Sequence, residues 1–437
     1  MTTAADDLRD VHPSRQRFSL FLAVLLTLPA VVLRLGSLHT AHPLEALLFG
    51  LAIVGAAFLL SWAAEVAQLD ISAGLAIAVL AFIAVLPEYA VDAVFALKAG
   101  RAVEAHGSAC MAPGAQGASP CSLALANMTG SNRLLIGIGW SLVVGIAYWR
   151  SRQRGRPSRD VVLERSHAVE ISYLGVATGY SLLLPLKRTV TLVDAFVLVG
   201  IFVAYTIRIS RAPAEEPHLV GPARYVGTFP TRHRRAAVGA MLVFAAVIIL
   251  LCAERFAESL VATGSELGVS EFLLVQWLAP LASEAPELLV AGLYAWRLNT
   301  NSGLATLVSA KVNQWTLLVG TLPVVFALAS ASHHGLPIDA AQREELLLTA
   351  AQSVFAFAVL SNLALSSREA LGLFVLFWAQ FLIGAAVPAS VHGIERLVVS
   401  GLYLVLAAGV LAKSGKALGG LFRDGMRTPY AHLRSPG

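Results

Sequence analysis

Charged residues are scarce in this sequence. Only 14% of its 437 residues are Asp, Glu, Lys or Arg, whereas 57% are hydrophobic and the mean hydropathy is +0.71. Soluble domains are usually about half apolar and about a quarter charged. The composition therefore argues against an ordinary soluble protein and predicts an integral membrane protein whose main partner is the lipid bilayer.

Cysteine is also rare. The chain has 3 cysteines, and no spacing among them is typical of a zinc or haem site. Cys252 lies in an apolar run and is interpreted as a small packing residue. Cys110 and Cys121 flank one loop and will pair if that loop faces an oxidising compartment, but two free thiols are equally consistent with the sequence.

The apolar runs lack the residues that an intramembrane enzyme needs. The GxSG and GxGD patterns of intramembrane proteases do not occur, and His106, His333, His334 and His392 fall in predicted loops. We therefore expect a protein that is not an enzyme and that carries no cofactor.

Long apolar runs, by contrast, are abundant. A spanning helix needs roughly 20 mostly apolar residues, and the sequence contains about twelve such runs. The first begins at Phe18 and shows no cleavage pattern, which predicts an uncleaved span. The runs are 18–36, 43–66, 71–98, 121–149, 168–186, 190–210, 236–262, 269–297, 303–330, 343–363, 370–388 and 394–412.

The positive charge is confined to segments between the runs. The net charge is +5, and the densest basic stretches are 150–167, 211–235 and the tail after Ala412. That distribution is typical of the positive-inside rule and does not suggest nucleic-acid binding. It predicts that both termini are cytoplasmic, in a plasma (inner) membrane, and that loop 99–120 and the loop around His333 lie outside.

The two halves of the chain resemble each other. "LPEYAVDAVFALK" begins at Leu86 and "APELLVAGLYAWR" begins at Ala285, so that Pro87-Glu88 matches Pro286-Glu287. Downstream, "NMTGSN" pairs with "VSAKVN", which aligns Asn132 with Asn313. The matched segments are offset by five of the predicted spans. Because an odd offset reverses orientation, the repeats are inverted in the membrane, as in many secondary transporters.

Each proline is expected to break its helix, because it removes a backbone donor and clashes with the preceding turn. Backbone groups freed in a membrane must line a cavity or be buried in protein. A glutamate directly after each break adds negative charge to free carbonyls. We therefore expect a site for a hard cation near the bilayer midplane, since such ions prefer oxygen ligands.

Other polar residues in the same segments are further candidate ligands. Acidic side chains inside a membrane are costly and mark ion pathways by default, whereas amides and hydroxyls there serve equally well in helix packing. The candidate cation ligands are Glu88, Asp92, Asn127, Ser131, Asn132, Glu284, Glu287, Ser309 and Asn313.

Lys311 replaces the glycine that corresponds to Gly130, deep in an apolar run. A buried lysine needs a partner, and Glu284, Glu287 and Asp92 are the candidate carboxylates. Three roles are open. Lys311 occupies one ion site as a built-in cation, or it releases its proton when an ion is loaded and so couples transport to protons, or it neutralises an acid.

Taken together, these motifs resemble the calcium/cation antiporter superfamily, which includes the sodium/calcium exchangers. "LPE" at 86–88, "APE" at 285–287 and "GSN" at 130–132 carry the resemblance, which extends over about 43–388. It implies an all-α polytopic fold of two inverted five-helix repeats with broken helices, and an extra span at each end.

The resemblance also implies a domain organisation. The predicted segments are a cytoplasmic tail at 1–17, an extra span at 18–42, a first repeat at 43–210, a cytoplasmic connector at 211–235, a second repeat at 236–388, and a last span with a basic tail at 389–437.

The function implied is antiport by alternating access, with Glu88 and Glu287 as central ligands. The exchanged ions are Ca²⁺ or another small cation against Na⁺ or H⁺. The alternatives are an Na⁺/H⁺- or K⁺/H⁺-type exchanger on the same fold, and a sensor that no longer transports.

The sequence departs from the family pattern at several ligand positions. Ala84 and Val85 stand where the family usually has Thr-Ser, and Ser283 and Glu284 are their counterparts in the second half. Leu135 and Thr316 replace the Asn or Asp expected four residues after the Ser of the "GSN" motif. These changes leave the fold expectation intact and place the identity of the ions in question.

Overall fold

The computed structural model describes residues 13–70, 86–114, 117–155, 160–212, 219–386, 388 and 391–433. Helices dominate these residues, in agreement with the predicted all-α polytopic class. The helices are α1 (Pro13–Leu35), α2 (His42–Ala67), α3 (Leu86–His106), α4 (Pro120–Leu134), α5 (Ser141–Gln153), α6 (Ala168–Ser181), α7 (Leu192–Ile209), α8 (Pro222–Gly227), α9 (Thr231–Leu267), α10 (Glu271–Trp296), α11 (Thr300–Asn313), α12 (Val319–Ala329), α13 (Ala340–Leu360), α14 (Ser367–Ala386), α15 (His392–Lys413), α16 (Gly415–Met426) and α17 (Tyr430–Leu433).

Two π-helical turns interrupt this series. Leu135–Trp140 joins α4 to α5, and Gln314–Leu318 joins α11 to α12. Each turn follows the corresponding motif of its half, the first shortly after Asn132 and the second directly after Asn313. Single π-turns within α-helices are rare and frequently lie at functional sites.

The loops contain short strands. The strands are β1 (Asp160–Val162), β2 (Thr189–Val190), β3 (Leu336–Pro337) and β4 (Ala364–Ser366). β1 pairs antiparallel with β4, with Val161 opposite Leu365, and β2 pairs antiparallel with β3, with Val190 opposite Leu336. These ribbons join loops and leave the all-α class unchanged.

Nine helical segments of the described residues are long and apolar enough to cross a membrane. They are Pro13–Leu35, His42–Ala67, Pro120–Gln153, Arg165–Leu186, Leu192–Ile209, Thr231–Leu267, Thr300–Ala329, Ser367–Gly384 and His392–Lys413. Each coincides with a run predicted from the sequence. The predicted spans 269–297 and 343–363 correspond to α10 and α13, and residues 86–98 of the predicted span 71–98 belong to α3, whereas residues 71–85 lie outside the described residues. These three helices carry several charged residues.

The second proline motif does not interrupt its helix. α10 runs unbroken from Glu271 to Trp296 through Pro280 and Pro286. The predicted break at Pro286 is therefore absent, and the proline instead removes one donor inside a continuous helix, so that the carbonyl of Ala282 loses its helical partner. In the first half, Pro87 lies in the first turn of α3, and the preceding residues 71–85, including Ala84 and Val85, lie outside the described residues.

The predicted connector and the predicted basic tail both contain helices. The connector 211–235 includes α8, and its last residues already belong to α9, which begins at Thr231. The basic tail forms α16 and α17. Both differences arise because a short helix is stabilised by the surface on which it packs rather than by its own propensity.

The chain divides into two compact units. Unit 1 comprises Met1–Val94 and Ile209–Glu287, and unit 2 comprises Phe95–Arg208 and Leu288–Gly437. In unit 1, α2 packs between α1 and α9. Small residues allow these close approaches, since a side chain at Gly50 would meet Phe256, and one at Gly55 would meet the backbone of Ala23.

In unit 2, α13 packs against α15, and α16 lies on α6. The open question about the cysteines is also resolved in this unit, because Cys110 and Cys121 form a disulfide. The bond ties the end of α3 to the first turn of α4. The third cysteine, Cys252, is free and buried, as predicted for a packing residue.

Candidate functional site

The acidic candidates all belong to unit 1. Glu88 and Asp92 are each 2% exposed on α3, and Glu284 is 4% exposed on α10. Glu287 is partly exposed, but its Oε2 atom is shielded, and no hydrogen-bond partner reaches that atom from any described residue. Carboxylates in such positions are expected to bind protons or cations, because a buried negative charge is stable only when it is compensated.

The two repeat-related glutamates influence each other. The charge of Glu88 acts on the carboxyl group of Glu287, and the charges of Glu88 and Asp92 both act on Tyr89. Helices α3 and α10 thus bring the Pro-Glu motifs of both halves within electrostatic range. Two carboxylates that repel each other in a buried place are stabilised by a shared cation or a proton.

The amide and hydroxyl candidates belong to unit 2. Asn127, Ser131 and Asn132 are fully buried on α4. The Ser131 hydroxyl donates to the Asn127 carbonyl oxygen at 3.1 Å, and Asn132 Nδ2 donates to the Met128 carbonyl oxygen at 3.0 Å. These bonds to the preceding helical turn hold the side chains of Ser131 and Asn132 in place, and the bond of Asn132 leaves its Oδ1 free to accept from another residue.

Lys311 is fully buried on α11. Its Nζ donates to the main-chain carbonyl of Asn132 and, at 2.7 Å, to Asn132 Oδ1. The ammonium also lies 5.5 Å from the ring centroid of Trp315. Within unit 2 the lysine is therefore held by oxygen dipoles and an aromatic face. Its predicted pairing with Glu284, Glu287 or Asp92 stays a prediction.

The remaining candidates on α11 have different surroundings. Ser309 forms a hydrogen bond with Tyr205. Asn313 is 5% exposed, and its Oδ1 atom is buried with no hydrogen-bond partner among the described residues. Asn313 therefore presents a free oxygen, as an ion ligand would, whereas Ser309 is engaged by a tyrosine.

The sequence reasoning did not identify Arg133 as part of this region. Arg133 is 2% exposed, and its Nη1 donates to Glu345 Oε2 at 3.0 Å while its Nη2 donates to Gln380 Oε1. Its position in the sequence points to such a role, because Arg133 directly follows "GSN" inside an apolar run, where a charge needs a buried partner.

No three His, Cys, Asp or Glu side chains of the described ranges are arranged to enclose a metal ion. The structure thus brings Glu88 near Glu287 and Asn132 near Lys311, without gathering the acids into a three-ligand cluster. Pro87 and Pro286 precede the two glutamates on α3 and α10, and both prolines are buried.

Comparison with known proteins assigns the chain to a family. The model of the sodium/calcium exchanger protein family matches residues 43–210 and 238–387, which is most of the chain. The chain belongs to this family. As an exchanger it is a membrane transporter of cations and not an enzyme, and the function predicted from the paired Pro-Glu motifs is confirmed at that level.

Solved structures agree with the assignment. The exchanger is 40% identical to the H⁺/Ca²⁺ exchanger CAX, with a TM-score of 0.85 over 95% of this chain and 98% of that one. It is 13% identical to the Ca²⁺/H⁺ antiporter protein YfkE, with a TM-score of 0.58 over 84% of this chain and 99% of that one, which shows a shared fold. No curated protein matches the exchanger.

Proposed function

We propose that this protein exchanges Ca²⁺ for H⁺ by alternating access, with Glu88 and Glu287 as the central cation ligands. The observation that carries the proposal is the electrostatic interaction in unit 1 between Glu88, which is buried, and Glu287, whose Oε2 atom is shielded. Each follows a proline at the matching position of its half. Two carboxylates supply two negative charges, which balance one divalent cation.

The chemistry of the acidic set favours Ca²⁺ as the transported ion. Ca²⁺ takes 6–8 oxygen ligands in flexible geometry and accepts carboxylates in one- or two-oxygen contacts. Glu284 and Asp92 are buried in the same unit and add carboxylate oxygens. Their burial strengthens the attraction for a cation, because the surrounding dielectric constant is low.

Protons are favoured as the counter-ion for two reasons. A buried carboxyl group is stable either beside a cation or in its protonated form, so that proton binding and cation binding at Glu88 and Glu287 exclude each other. In addition, the 40% identical structure is that of an H⁺/Ca²⁺ exchanger.

The membrane arrangement is part of the proposal. Inverted five-helix repeats at 43–210 and 236–388, about twelve spans, and cytoplasmic termini in a plasma (inner) membrane follow from the motif order and the basic loops. The disulfide between Cys110 and Cys121 supports an external position for loop 99–120, because disulfides persist in oxidising compartments.

Transport in proteoliposomes tests the proposal. We expect an imposed pH gradient to drive Ca²⁺ uptake with counter-movement of protons, in buffers that contain no Na⁺. Glu88→Gln and Glu287→Gln each remove one charged ligand, and a contact to a charged group contributes about 1.5–3 kcal/mol, so that uptake at limiting Ca²⁺ should fall roughly ten- to hundredfold.

Two acids on the same helices provide matched controls. Glu104→Gln lies at the exposed end of α3, and Glu271→Gln lies in the first turn of α10; both should leave uptake unchanged. Full uptake of Ca²⁺ by Glu88→Gln or Glu287→Gln would contradict the assignment of that glutamate as a cation ligand. Proton-driven movement of Na⁺ or K⁺ without Ca²⁺ would assign the other exchanger type, and no ion movement at all would indicate a sensor.

A further inference from the structure

The ammonium group of Lys311 occupies a position that has the chemistry of a cation site. Its Nζ is buried and contacts two oxygens of one residue, the main-chain carbonyl oxygen and Oδ1 of Asn132. Carbonyl and amide oxygens are the neutral ligands by which membrane transporters hold monovalent cations. The lysine thus contacts atoms that are suited to a metal ion.

The two oxygens are held in place by the helix that carries them. Asn132 Nδ2 donates to the Met128 carbonyl oxygen at 3.0 Å, which orients Oδ1 away from that turn and toward Lys311. Asn132 is itself fully buried. The pair of oxygens is therefore preorganised and does not depend on a mobile side chain.

Trp315 also lies beside the ammonium. Its ring centroid is 5.5 Å from Lys311 Nζ, and its indole Nε1 donates to Ser353 Oγ at 2.8 Å. The hydrogen bond fixes the ring, whose face attracts a positive charge. Trp315 lies in the π-helical turn Gln314–Leu318, one turn after Lys311 on the same continuous helical segment.

We propose that Lys311 is a tethered cation that fills a monovalent-cation position built by Asn132, and that it is the residue which keeps Na⁺ from binding there. The proposal deepens the proposed function, on which it rests, by naming a residue that determines ion specificity. The matching position in the first half is Gly130, which has no side chain to play this role.

If Lys311 fills this position, the position carries a fixed positive charge. A site that binds free Na⁺ would instead exchange its ion with the solution. A lysine ammonium supplies the charge of Na⁺ at every stage of the cycle and cannot leave. The exchange therefore proceeds without Na⁺, and the carboxylates of Glu88 and Glu287 carry the variable charge. Replacing Lys311 by a small residue should restore a position that Na⁺ can occupy with water as the remaining ligands.

Thermal unfolding of the purified full-length protein in detergent tests this directly. NaCl is compared with N-methylglucamine chloride at constant ionic strength and without Ca²⁺. We expect Lys311→Ala to show a saturable Na⁺-dependent rise in unfolding temperature of about 2–5 °C, because a ligand that binds only the folded state stabilises it. The wild-type protein should show no such rise.

Two further variants separate the ion site from a general loss of packing. Lys311→Met removes the charge but fills the space, and it should gain no Na⁺ response. Asn132→Ala in the Lys311→Ala background removes Oδ1 and should weaken the gained Na⁺ affinity about tenfold, the effect of losing one good oxygen contact. A folded Lys311→Ala protein without any Na⁺ response, or an equal response in Lys311→Met, would overturn the proposal.

Failure to fold is also informative. If Lys311→Ala is unfolded in N-methylglucamine chloride, the proposal expects extraction in NaCl to recover monodisperse protein, since the ion replaces the missing charge. Loss of folded protein in both salts would show a purely structural lysine and would contradict the proposal. Since the measurement needs no transport, its outcome is independent of whether Ca²⁺/H⁺ exchange is observed.

Discussion

Arg133 shows how one residue joins distant parts of unit 2. Its guanidinium contacts Glu345 and Gln380, and Gln352 Nε2 donates to its carbonyl oxygen at 3.4 Å. Glu345 is shared, because Arg396 Nε donates to its Oε1 at 2.8 Å. Arg396 also pairs with Glu344 Oε2 at 3.5 Å, so that two carboxylates balance the two guanidiniums, and partners of this kind are what a buried charge needs.

Arg133→Met should therefore destabilise the protein. The substitution leaves Gln380 Oε1 without its donor and Glu345 with one cation instead of two. Breaking a buried ion pair by removing one partner costs about 3–5 kcal/mol, and we expect the lower end of that range because Arg396 still neutralises Glu345. Thermal unfolding in detergent measures the loss.

A double-mutant cycle separates the ion pair from side-chain packing. Glu345→Gln combined with Arg133→Met should cost less than the sum of the two single changes, because the double variant no longer buries a carboxylate without its partner. Arg152→Met, at an exposed position on α5, is the control for loss of a positive charge and should be neutral. Strict additivity of the two single changes would contradict the network.

Sequence spacing predicted some residues of the site and missed others for a physical reason. Glu88 and Glu287 are candidates because a repeat displays matching positions along the chain, and their role as ligands stays a prediction. The partner of Arg133 lies 212 residues away, and that of Lys311 lies 179 residues away at Asn132. Contacts between such distant residues depend on packing, which a single sequence does not display.

At the scale of elements, the helices were largely predictable because apolar length is a local property. The predicted spans that lie wholly in the described residues correspond to helical segments, with ends shifted by a few residues. The π-turns and the continuity of α10 through Pro286 were not predicted, because both depend on neighbours that supply or replace a backbone hydrogen bond. The same reason explains why the sequence predicted a basic tail without indicating that it contains α16.

Helix α16 is attached to the rest of unit 2 by several polar contacts. Arg208 Nε donates to the Gly425 carbonyl oxygen at 2.9 Å, and Ser172 Oγ donates to the Leu421 carbonyl oxygen at 3.0 Å. Arg165 Nε donates to Asp424 Oδ2 at 2.7 Å. The contact to Gly425 satisfies one of the last four carbonyl groups of the helix, which lack helical partners.

The ion pair at Asp424 predicts a pH dependence for this attachment. The hydrogen bond from Arg165 lowers the pKa of Asp424 below its usual value, in spite of partial burial. A lowered pKa means that the ionised carboxylate stabilises docking above the ordinary Asp range, and this contribution is lost as the pH falls through the lowered pKa. Docking of α16 should therefore weaken only in acid.

Hydrogen exchange of the amides of α16 measures this effect after correction for the intrinsic pH dependence. Asp424→Asn should increase local opening at neutral pH about fivefold, corresponding to roughly 1 kcal/mol for a partly exposed pair. The variant should also lose the acid-dependent step of the wild-type protein. Asp160→Asn, an exposed acid elsewhere in unit 2, is the control; an acid step that persists in Asp424→Asn would exclude this carboxyl group as its cause.

At the scale of the whole molecule, the candidate ligands are divided by chemistry. The acids Glu88, Asp92, Glu284 and Glu287 belong to unit 1, whereas Asn127, Ser131, Asn132, Ser309, Lys311 and Asn313 belong to unit 2. From the order of the motifs along the chain, the sequence predicted that each repeat contains both acidic and neutral candidate ligands. It did not predict this division, because α3 and α10 each contribute residues to both units.

The direction in which the chain is inserted is the last property that can be tested. Basic loops predict that residues 150–167 are cytoplasmic and that the loop around His333 is external, because Lys and Arg accumulate on the cytoplasmic side. The disulfide between Cys110 and Cys121 agrees with an external loop 99–120. Cysteine labelling from one side of the membrane distinguishes this arrangement from its inverse.

Two exposed positions serve as reporters in intact cells. His333→Cys should react with a membrane-impermeant maleimide added outside, whereas Arg152→Cys should react only after the membrane is permeabilised. The native cysteines give a low background, because Cys252 is buried and the other two are disulfide-bonded. The opposite labelling pattern would place both termini outside. The Arg-rich loop at 150–167 would then face outward, so that the positive-inside rule could not account for its position.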